Sequence, residues 1–370
     1  MNASGVKFNV KDQPEFIKEL RKKVNQYFKE NNLSRHANAN MKLKTTFMLL
    51  LYFVPFAFLL SGQFSSVGGV FLLFAIMGFG MAGIGLAVMH DANHDSYSKN
   101  KSTNKLLGFL INFLGSYHIT WRIQHNVLHH SFTNVHEHDE DIDNEVMRFS
   151  PNNKRKWIYR FQAFYAPFFY GLLSMHRLVS KDFQQLLRYN KMNLLVTQGL
   201  TLNKALIQIV TNKIFYLILT LVLPILILDI AWWQTVLGFL LMQFICGLIL
   251  ALIFQSAHVI EETGFYKIDE TGSLENNWAI HQMNTTANFA NNGLIFSWFI
   301  GGLNYQIEHH LFPNICHVHY KDIAIIVKQT AKEFNVPYHQ HKTFFGALKS
   351  HFSLLNSLGT GKYDLKLVVA

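Results

Sequence analysis

The chain has 370 residues, of which 50% are hydrophobic and only 15% are charged. Soluble domains carry roughly 25% charged residues, so this chain has too little charge to cover a soluble globule. Its formal net charge is +10. In a chain this apolar, excess Lys and Arg indicates cytoplasmic loops and anionic lipid head groups rather than nucleic acid. Two cysteines, Cys246 and Cys316, do not make a disulfide framework.

The first 44 residues are polar and basic, without the early apolar core of a signal peptide. Between Pro14 and Phe28 the apolar residues recur at helical spacing. This pattern predicts an amphipathic helix that lies on the cytoplasmic membrane face or is simply solvated. We expect residues 1–44 to form a cytoplasmic tail.

Two long apolar runs follow. No charged residue occurs between Thr45 and Met89, and Asp229 is the one charge between Ile214 and Ala257. Each run is long enough for two spans of about 20 residues, with turns at 61–66 and 229–233. We predict spans at about 45–61, 67–89, 214–229 and 234–256. Two shorter apolar pieces, 106–121 and 161–175, suit helices at the membrane interface.

The topology follows from the positions of the basic residues. Neither hairpin turn contains Lys or Arg, whereas the tail, the middle block and the carboxyl end contain many. The positive-inside rule therefore places both turns outside, with both termini and the middle block in the cytoplasm. The predicted fold is an all-α integral membrane protein with four transmembrane helices and a cytoplasmic helical cap.

Histidines are grouped in the polar parts of the chain. His90-Asp-Ala-Asn-His94 and His125-Asn-Val-Leu-His-His130 both contain imidazoles four residues apart, which lie on one face of a helix. We expect His125 and His129 to bind one ion, while His130, about 100° further round the axis, reaches a second. The candidate ligands are His90, His94, His125, His129, His130, His258, His309 and His310.

These imidazoles are more than one tetrahedral ion can use, so two ions are expected. Imidazole is a common ligand for zinc, copper, iron and nickel. Thiolates are missing from the clusters, because Cys246 lies within an apolar run and Cys316 lies outside the histidine pairs. A histidine-rich pair of metal sites open to oxygen favours two non-haem iron ions with O₂ as co-substrate.

These two clusters and a third, Gln306-Ile-Glu-His309-His310, resemble the histidine boxes of the membrane fatty acid desaturases, over roughly residues 45–345. The third box, Gly302-Leu-Asn-Tyr-Gln-Ile-Glu-His-His-Leu-Phe-Pro313, carries Gln306 where many relatives have His. This is similar to the front-end (delta-5 and delta-6 type) and bacterial linoleoyl-CoA desaturase-like enzymes. The resemblance implies that His258 is an extra ligand and that Gln306 stands at a ligand position.

The resemblance also implies a reaction and its partners. The chain is expected to introduce a cis double bond into a fatty acyl chain, carried by coenzyme A or a membrane lipid. It has no His-Pro-Gly-Gly haem motif, so a separate electron donor is expected, such as ferredoxin or cytochrome b5 with its reductase. The expected location is a bacterial inner membrane. The expected domains are the tail 1–44, the desaturase domain 45–345 and a cytoplasmic tail 346–370.

Several polar residues next to these boxes have two interpretations. Asp91, Asp95, Asn126 and Glu308 either orient the imidazoles or are ordinary helix polarity. For Asp139, Asp141 and Asp143 a solvated acidic loop is favoured over such a role. His281 either lies near the substrate or is an ordinary partly buried histidine. His317 and His319 are expected at the surface or beside ligands.

Two other functions remain compatible with the sequence. A hydroxylase or ketolase on the same scaffold would insert oxygen instead of forming an alkene, and no residue excludes it. A metal transporter or sensor would use the histidines for passage, but it would need ligands within the spans. The predicted ligands instead lie at the ends of the spans.

Overall fold

The computed structural model describes residues 6–63 and 66–364, which are predominantly helical. They form two compact units. The first unit comprises Met1–Asn38, Gln124–Pro167 and Leu252–Ala370, and the second comprises Ala39–Ile123 and Phe168–Ala251. The ends of the two expected tails, residues 1–5 and 365–370, and Phe64 and Ser65 of the expected first turn lie outside the described residues. The predicted domain boundaries stay a prediction.

In the first half of the described chain the α-helices are α1 (Pro14–Glu30), α2 (Ala39–Ser61), α3 (Val67–Gly83), α4 (Met89–Asn93), α5 (Lys101–Gly108), α6 (His118–Arg122), α7 (His130–Phe132), α8 (Gln162–Gly171), α9 (Leu173–His176) and α10 (Asp182–Lys191). In the second half they are α11 (Leu202–Leu217), α12 (Leu223–Ile227), α13 (Trp232–His258), α14 (Trp278–Thr285), α15 (Leu294–Phe299), α16 (Gln306–Leu311), α17 (Tyr320–Glu333) and α18 (Phe344–Thr360). Short 3₁₀ and π-helical turns join several of them.

Two pairs of short parallel strands occur in the first unit. β1 (Lys7–Phe8) pairs with β2 (Ser273–Leu274), and β3 (Ala287–Phe289) pairs with β4 (His339–His341). Each pair joins segments that are far apart in the sequence. The strands thus tie the amino-terminal segment and the segment after α17 to the rest of the first unit.

Within the described residues, four helices are long and apolar enough to cross a membrane: Ala39–Ser61, Val67–Asn93, Leu202–Ile227 and Trp232–His258. The predicted all-α membrane fold with four spans is confirmed. The expected interfacial piece 106–121 is divided among α5, a 3₁₀ turn and α6, and 161–175 is divided between α8 and α9.

The third span begins earlier than expected, at Leu202 instead of residue 214. The expected start directly follows Lys213, but this side chain is buried in the second unit. Its ammonium donates to the Asp182 carboxylate at 2.8 Å and to the carbonyls of Gly115 and Arg177 at 3.1 and 2.9 Å. Because all three donors have acceptors, the lysine is accommodated inside a helix that continues past it.

The helix α1 contributes to the core of the first unit. Phe16, Leu20, Val24 and Phe28 recur every four residues and are at most 4% exposed. They pack with apolar residues of α14, α16 and α17. The apolar face of this predicted helix therefore lies inside the protein and not on a membrane surface or in solvent.

Close packing of α2 against α3 yields a testable prediction. A Cβ added at Gly80 would lie 2.7 Å from the backbone nitrogen of Tyr52, which cannot move without shifting the helix. We expect Gly80→Ala to destabilise the protein by about 1–3 kcal/mol through overpacking. Thermal unfolding in detergent measures this change. Gly68 lies on the same helix with nothing within 4 Å of its added Cβ, so Gly68→Ala is the control and should be neutral or slightly stabilising. Equal stability of the two variants would contradict the prediction.

Candidate metal centre

The second histidine box of the sequence lies on an unusual helical turn. Residues Ile123–His129 form a π-helix that runs into α7 at His130. A π-helix has more residues per turn than an α-helix, and such turns are frequent at functional sites. Residues five apart consequently approach one another, and the Nε2 atoms of His125 and His130 are 3.3 Å apart.

Two groups of imidazoles result in the first unit. His129, His258 and His310 offer nitrogens that all lie within 4.8 Å of one another, and so do His130, His309 and His310. The grouping differs from the expected one, in which His125 and His129 shared an ion. The π-helical winding explains the difference, because it places His130 rather than His129 closest to His125.

In the first group the hydrogen bonds define which ring nitrogen of each histidine is available to bind a metal ion. The Nδ1 atom of His129 lies 3.1 Å from the Asp139 carboxylate, that of His258 lies 3.1 Å from the Thr285 carbonyl, and that of His310 lies 2.7 Å from the Gln282 amide oxygen. These oxygens only accept, so each Nδ1 carries the proton. The three Nε2 atoms keep their lone pairs, which is the ligand form of imidazole.

His125 joins the second group, His130, His309 and His310, through contacts between ring nitrogens. The Nε2 of His130 lies 2.9 Å from that of His309 and 3.3 Å from that of His125. One proton cannot bridge three nitrogens, so this arrangement fits a shared cation better than a hydrogen-bond network. His309 is held from its other side, where Nδ1 lies 3.2 Å from the Tyr320 hydroxyl. The buried, thiolate-free donor set of both groups fits iron ions.

Gln306 is also part of this region. It begins α16, the short helix that carries His309 and His310, and it is 1% exposed. Its side chain approaches the imidazole of His258. In the first unit the structure thus brings together His125, His129, His130, His258, Gln306, His309 and His310.

The first histidine box belongs to the second unit. His90 is buried on α4, and His94 follows that helix. Their rings are 4.9 Å apart, and both contact the edge or face of Trp121, at 5.7 and 6.2 Å. Asp91 lies 3.9 Å from His90 Nδ1, whereas the carboxylate of Asp95 accepts a hydrogen bond from Asn104. The two histidines are therefore adjacent, as their spacing predicts.

Asp139 is the clearest departure from the expected environment. The favoured interpretation as a solvated acidic residue is wrong, because Asp139 is 1% exposed. Besides His129, its carboxylate accepts the backbone N–H groups of Asn134 and Asp141 at 2.9 and 3.1 Å. Asp141 is partly exposed and lies 3.6 Å from His129, while Asp143 contacts His136. Asp139 thus orients His129 as a carboxylate partner.

Glu308 does not orient an imidazole. Its carboxylate binds the Asn288 amide at 2.7 Å and the Tyr338 hydroxyl at 3.1 Å, and burial raises its pKa to about 7. Asn288 also accepts the backbone N–H of Ile307 at 3.0 Å. These contacts anchor the start of α16 to β3, and thereby hold the helix that carries His309 and His310.

Three further histidines that the sequence singles out lie outside the two imidazole groups of the first unit. His281 is wholly buried, its Nε2 lies 2.8 Å from the Thr133 carbonyl, and burial lowers its pKa to about 4. His317 and His319 are buried rather than exposed, and His319 contacts the His36 carbonyl. Neither is part of the two imidazole groups of the first unit.

Comparison with known proteins identifies the family of the chain. The model of the fatty acid desaturase family matches residues 64–342. The chain belongs to the fatty acid desaturase family.

The sn-1 linoleoyl-lipid 6-desaturase of Synechocystis sp. is 36% identical over 369 residues, which cover 97% of this chain and 99% of that protein. The enzyme of the same description from Arthrospira platensis is 34% identical, with 93% and 92% covered. The acyl-lipid (8-3)-desaturase of Physcomitrium patens is 34% identical, with 96% and 74% covered.

As a fatty acid desaturase, the chain is an oxidoreductase, and the resemblance found in its histidine boxes is confirmed. Sequence reasoning missed Gln282, Thr285 and Tyr320 as imidazole partners. Gln282 lies next to His281, and only the histidine of that pair was singled out. Thr285 acts through its backbone carbonyl, which no side-chain pattern reveals.

Proposed function

We propose that the chain is an O₂-dependent acyl-lipid desaturase of the front-end type, which inserts a cis double bond between an existing double bond and the carboxyl group. The observation that carries this proposal is the pair of buried imidazole groups in the first unit. The names of the relatives support a lipid-linked acyl chain over acyl-CoA, since they describe acyl-lipid and linoleoyl-lipid desaturases.

The proposed cofactor is a pair of non-haem iron ions. His129, His258 and His310 would hold one, with Gln306 beside it, and His125, His130 and His309 would contribute to the other. We propose that His90 and His94 are also iron ligands, which is supported by their adjacency and by the family resemblance. The chemistry that the iron pair supplies when bound is the O₂-dependent removal of hydrogen from two adjacent methylenes.

Residues of this protein keep the imidazoles in the form that binds metal. Asp139, Gln282 and the Thr285 carbonyl keep the proton on Nδ1 of their histidines, so that each Nε2 remains a ligand. Burial of the imidazoles excludes water from the oxidising site. The net reaction converts –CH₂–CH₂–, O₂, two electrons and two protons into –CH=CH– and two water molecules. Two electrons are therefore required, and we propose that a separate donor supplies them.

The membrane arrangement is part of the proposal. The four apolar helices would span a bacterial inner membrane, and the positive-inside rule supports cytoplasmic termini and a cytoplasmic site. Ligands at the ends of the spans would meet acyl chains from one leaflet. This arrangement leaves no reason to favour a metal transporter.

Expression in a bacterium that lacks polyunsaturated lipids tests the proposed function. Cells are fed linoleate, and lipid double-bond positions are read by mass spectrometry. The expected product has a new cis double bond on the carboxyl side of the existing ones. A hydroxylated chain would indicate the hydroxylase instead, and lipids identical to those of cells carrying the empty vector would contradict both.

A further inference from the structure

One face of α17 carries several exposed lysines. Lys321, Ile325, Lys328 and Lys332 are spaced by four, three and four residues, which places them on one helix face. All four are exposed, and Ile325 is 69% exposed between the lysines. We call these four residues together with the exposed Lys342 the basic face.

A groove adjoins the basic face. It has a volume of about 580 Å³ and is lined by Asn291, Asn292, Lys328, Tyr338, Gln340 and Lys342. Two of these residues are cations and none is a carboxylate. The carboxylates of α17 are engaged elsewhere, since Glu333 binds Lys23 and Asp322 interacts with Tyr27. The groove and the face therefore present positive charge around an apolar residue.

Two hydrogen-bonded links connect this surface to the helix that carries the third histidine box. Tyr338, in the wall of the groove, donates to Glu308 at 3.1 Å, and Glu308 immediately precedes His309. Tyr320, the first residue of α17, has its hydroxyl 3.2 Å from Nδ1 of His309. Tyr338 of the groove is thus hydrogen-bonded to the residue that precedes His309, and Tyr320, which contacts His309, immediately precedes Lys321 of the basic face.

We infer that the basic face is the docking surface for an acidic one-electron carrier protein, with electrons entering through the Tyr338 and Tyr320 side of His309. This inference rests on the proposed function, which requires two electrons per double bond. The carrier is oxidised by one electron at each encounter, so two reduced carriers are consumed for each turnover. The two cysteines of the chain cannot hold an iron–sulfur cluster of its own.

The shape of the face favours a protein over a lipid surface. An apolar centre surrounded by charges is typical of protein interfaces, in which the rim charges set the rate of association. Helices that lie on membranes instead present a wide apolar side. The apolar side of α17, with Ile323, Val327 and Ala331, is buried in the core of the first unit.

The test uses the iron-loaded full chain in lipid nanodiscs and a plant-type [2Fe–2S] ferredoxin, an acidic carrier, as the probe. The variant Lys328→Glu/Lys342→Glu reverses two charges of the groove. The control Lys154→Glu/Lys267→Glu makes the same charge change at two exposed lysines of the first unit outside the face. Turnover is measured with reduced ferredoxin and with dithionite plus a viologen, and ferredoxin binding is measured directly.

We expect the groove variant to raise the KM for ferredoxin at least about tenfold and to weaken binding equally, since electrostatic steering is worth about 10–10³ in association rate. Its rate with the viologen should equal that of wild type. Wild-type KM should rise with salt, and that of the variant should not. Ile325→Ser should raise KM without changing the salt dependence.

Three results would overturn the inference. One is an effect of the groove variant on KM and binding no larger than that of the control. The second is an equal loss of turnover with the viologen, which would give these lysines a structural role. The third is weakened binding to phosphatidylglycerol vesicles with unchanged ferredoxin binding. Wild-type protein that binds ferredoxin but forms no alkene with either reductant would instead refute the proposed function and leave the docking surface supported.

Discussion

Replacing His129 by alanine is expected to abolish the unsaturated product while the protein remains in the membrane fraction. His129 belongs to the group with His258 and His310, and its Nε2 is available because Nδ1 is held by Asp139. Alanine leaves two imidazoles where three converge, and a site with fewer ligands binds its ion more weakly. Iron content per chain, measured by mass spectrometry of the purified protein, should fall together with product formation.

His351→Ala is the matched control for this experiment. His351 is as buried as His129 and lies in the same unit, but its Nδ1 contacts the Val259 carbonyl at 2.6 Å and it is outside both imidazole groups. Removing a buried imidazole leaves a cavity, and the resulting loss of stability should lower the melting temperatures of both variants. Loss of iron should appear only in His129→Ala. Wild-type iron content and product yield in that variant would remove His129 from the ligand set.

The spans could be predicted because they depend on local composition. Long runs without charge identify helices such as Trp232–His258, and their bounds are close to those expected. The third span could not be placed correctly, because the partner that neutralises Lys213 is Asp182, which lies 31 residues away in the sequence. A buried charge pair makes a lysine compatible with an apolar helix. Such a pair depends on the tertiary structure and is not visible in the local sequence.

The candidate site was partly predictable for a similar reason. Imidazoles in recurrent short clusters are visible in the sequence, whereas their grouping depends on the winding of the helix between Ile123 and His129. An α-helix would separate His130 from His125 by about 140°, and the π-helical turn brings them to 3.3 Å. Local sequence gives little sign of this change in winding.

The acidic residues between Glu137 and Asp143 show the same limit of prediction from local sequence. The run from Glu137 to Asp143 has the composition of a solvated loop, yet Asp139 is enclosed while Asp143 stays partly exposed. What distinguishes them is the local backbone, because the N–H groups of Asn134 and Asp141 turn toward the Asp139 carboxylate. Charge composition predicts the average environment of such a run and not that of each member.

Asp139→Asn should consequently weaken iron binding by about 10- to 100-fold, the usual effect of altering a residue that orients a metal ligand. Both carboxylate oxygens accept a backbone N–H, Oδ1 from Asp141 and Oδ2 from Asn134. Asparagine has one oxygen, so its NH₂ group must face one of these donors. The imidazole of His129 also loses the negative charge that makes its Nε2 more basic.

Iron affinity is measured by competition with a chelator, and product formation is followed in parallel. Asp143→Asn is the control, because this carboxylate is partly exposed and lies 3.6 Å from His136, which is outside the two groups. It removes the same charge from the same loop, so a general electrostatic effect would appear in both variants. Equal affinities of the two variants would show that Asp139 does not act through His129.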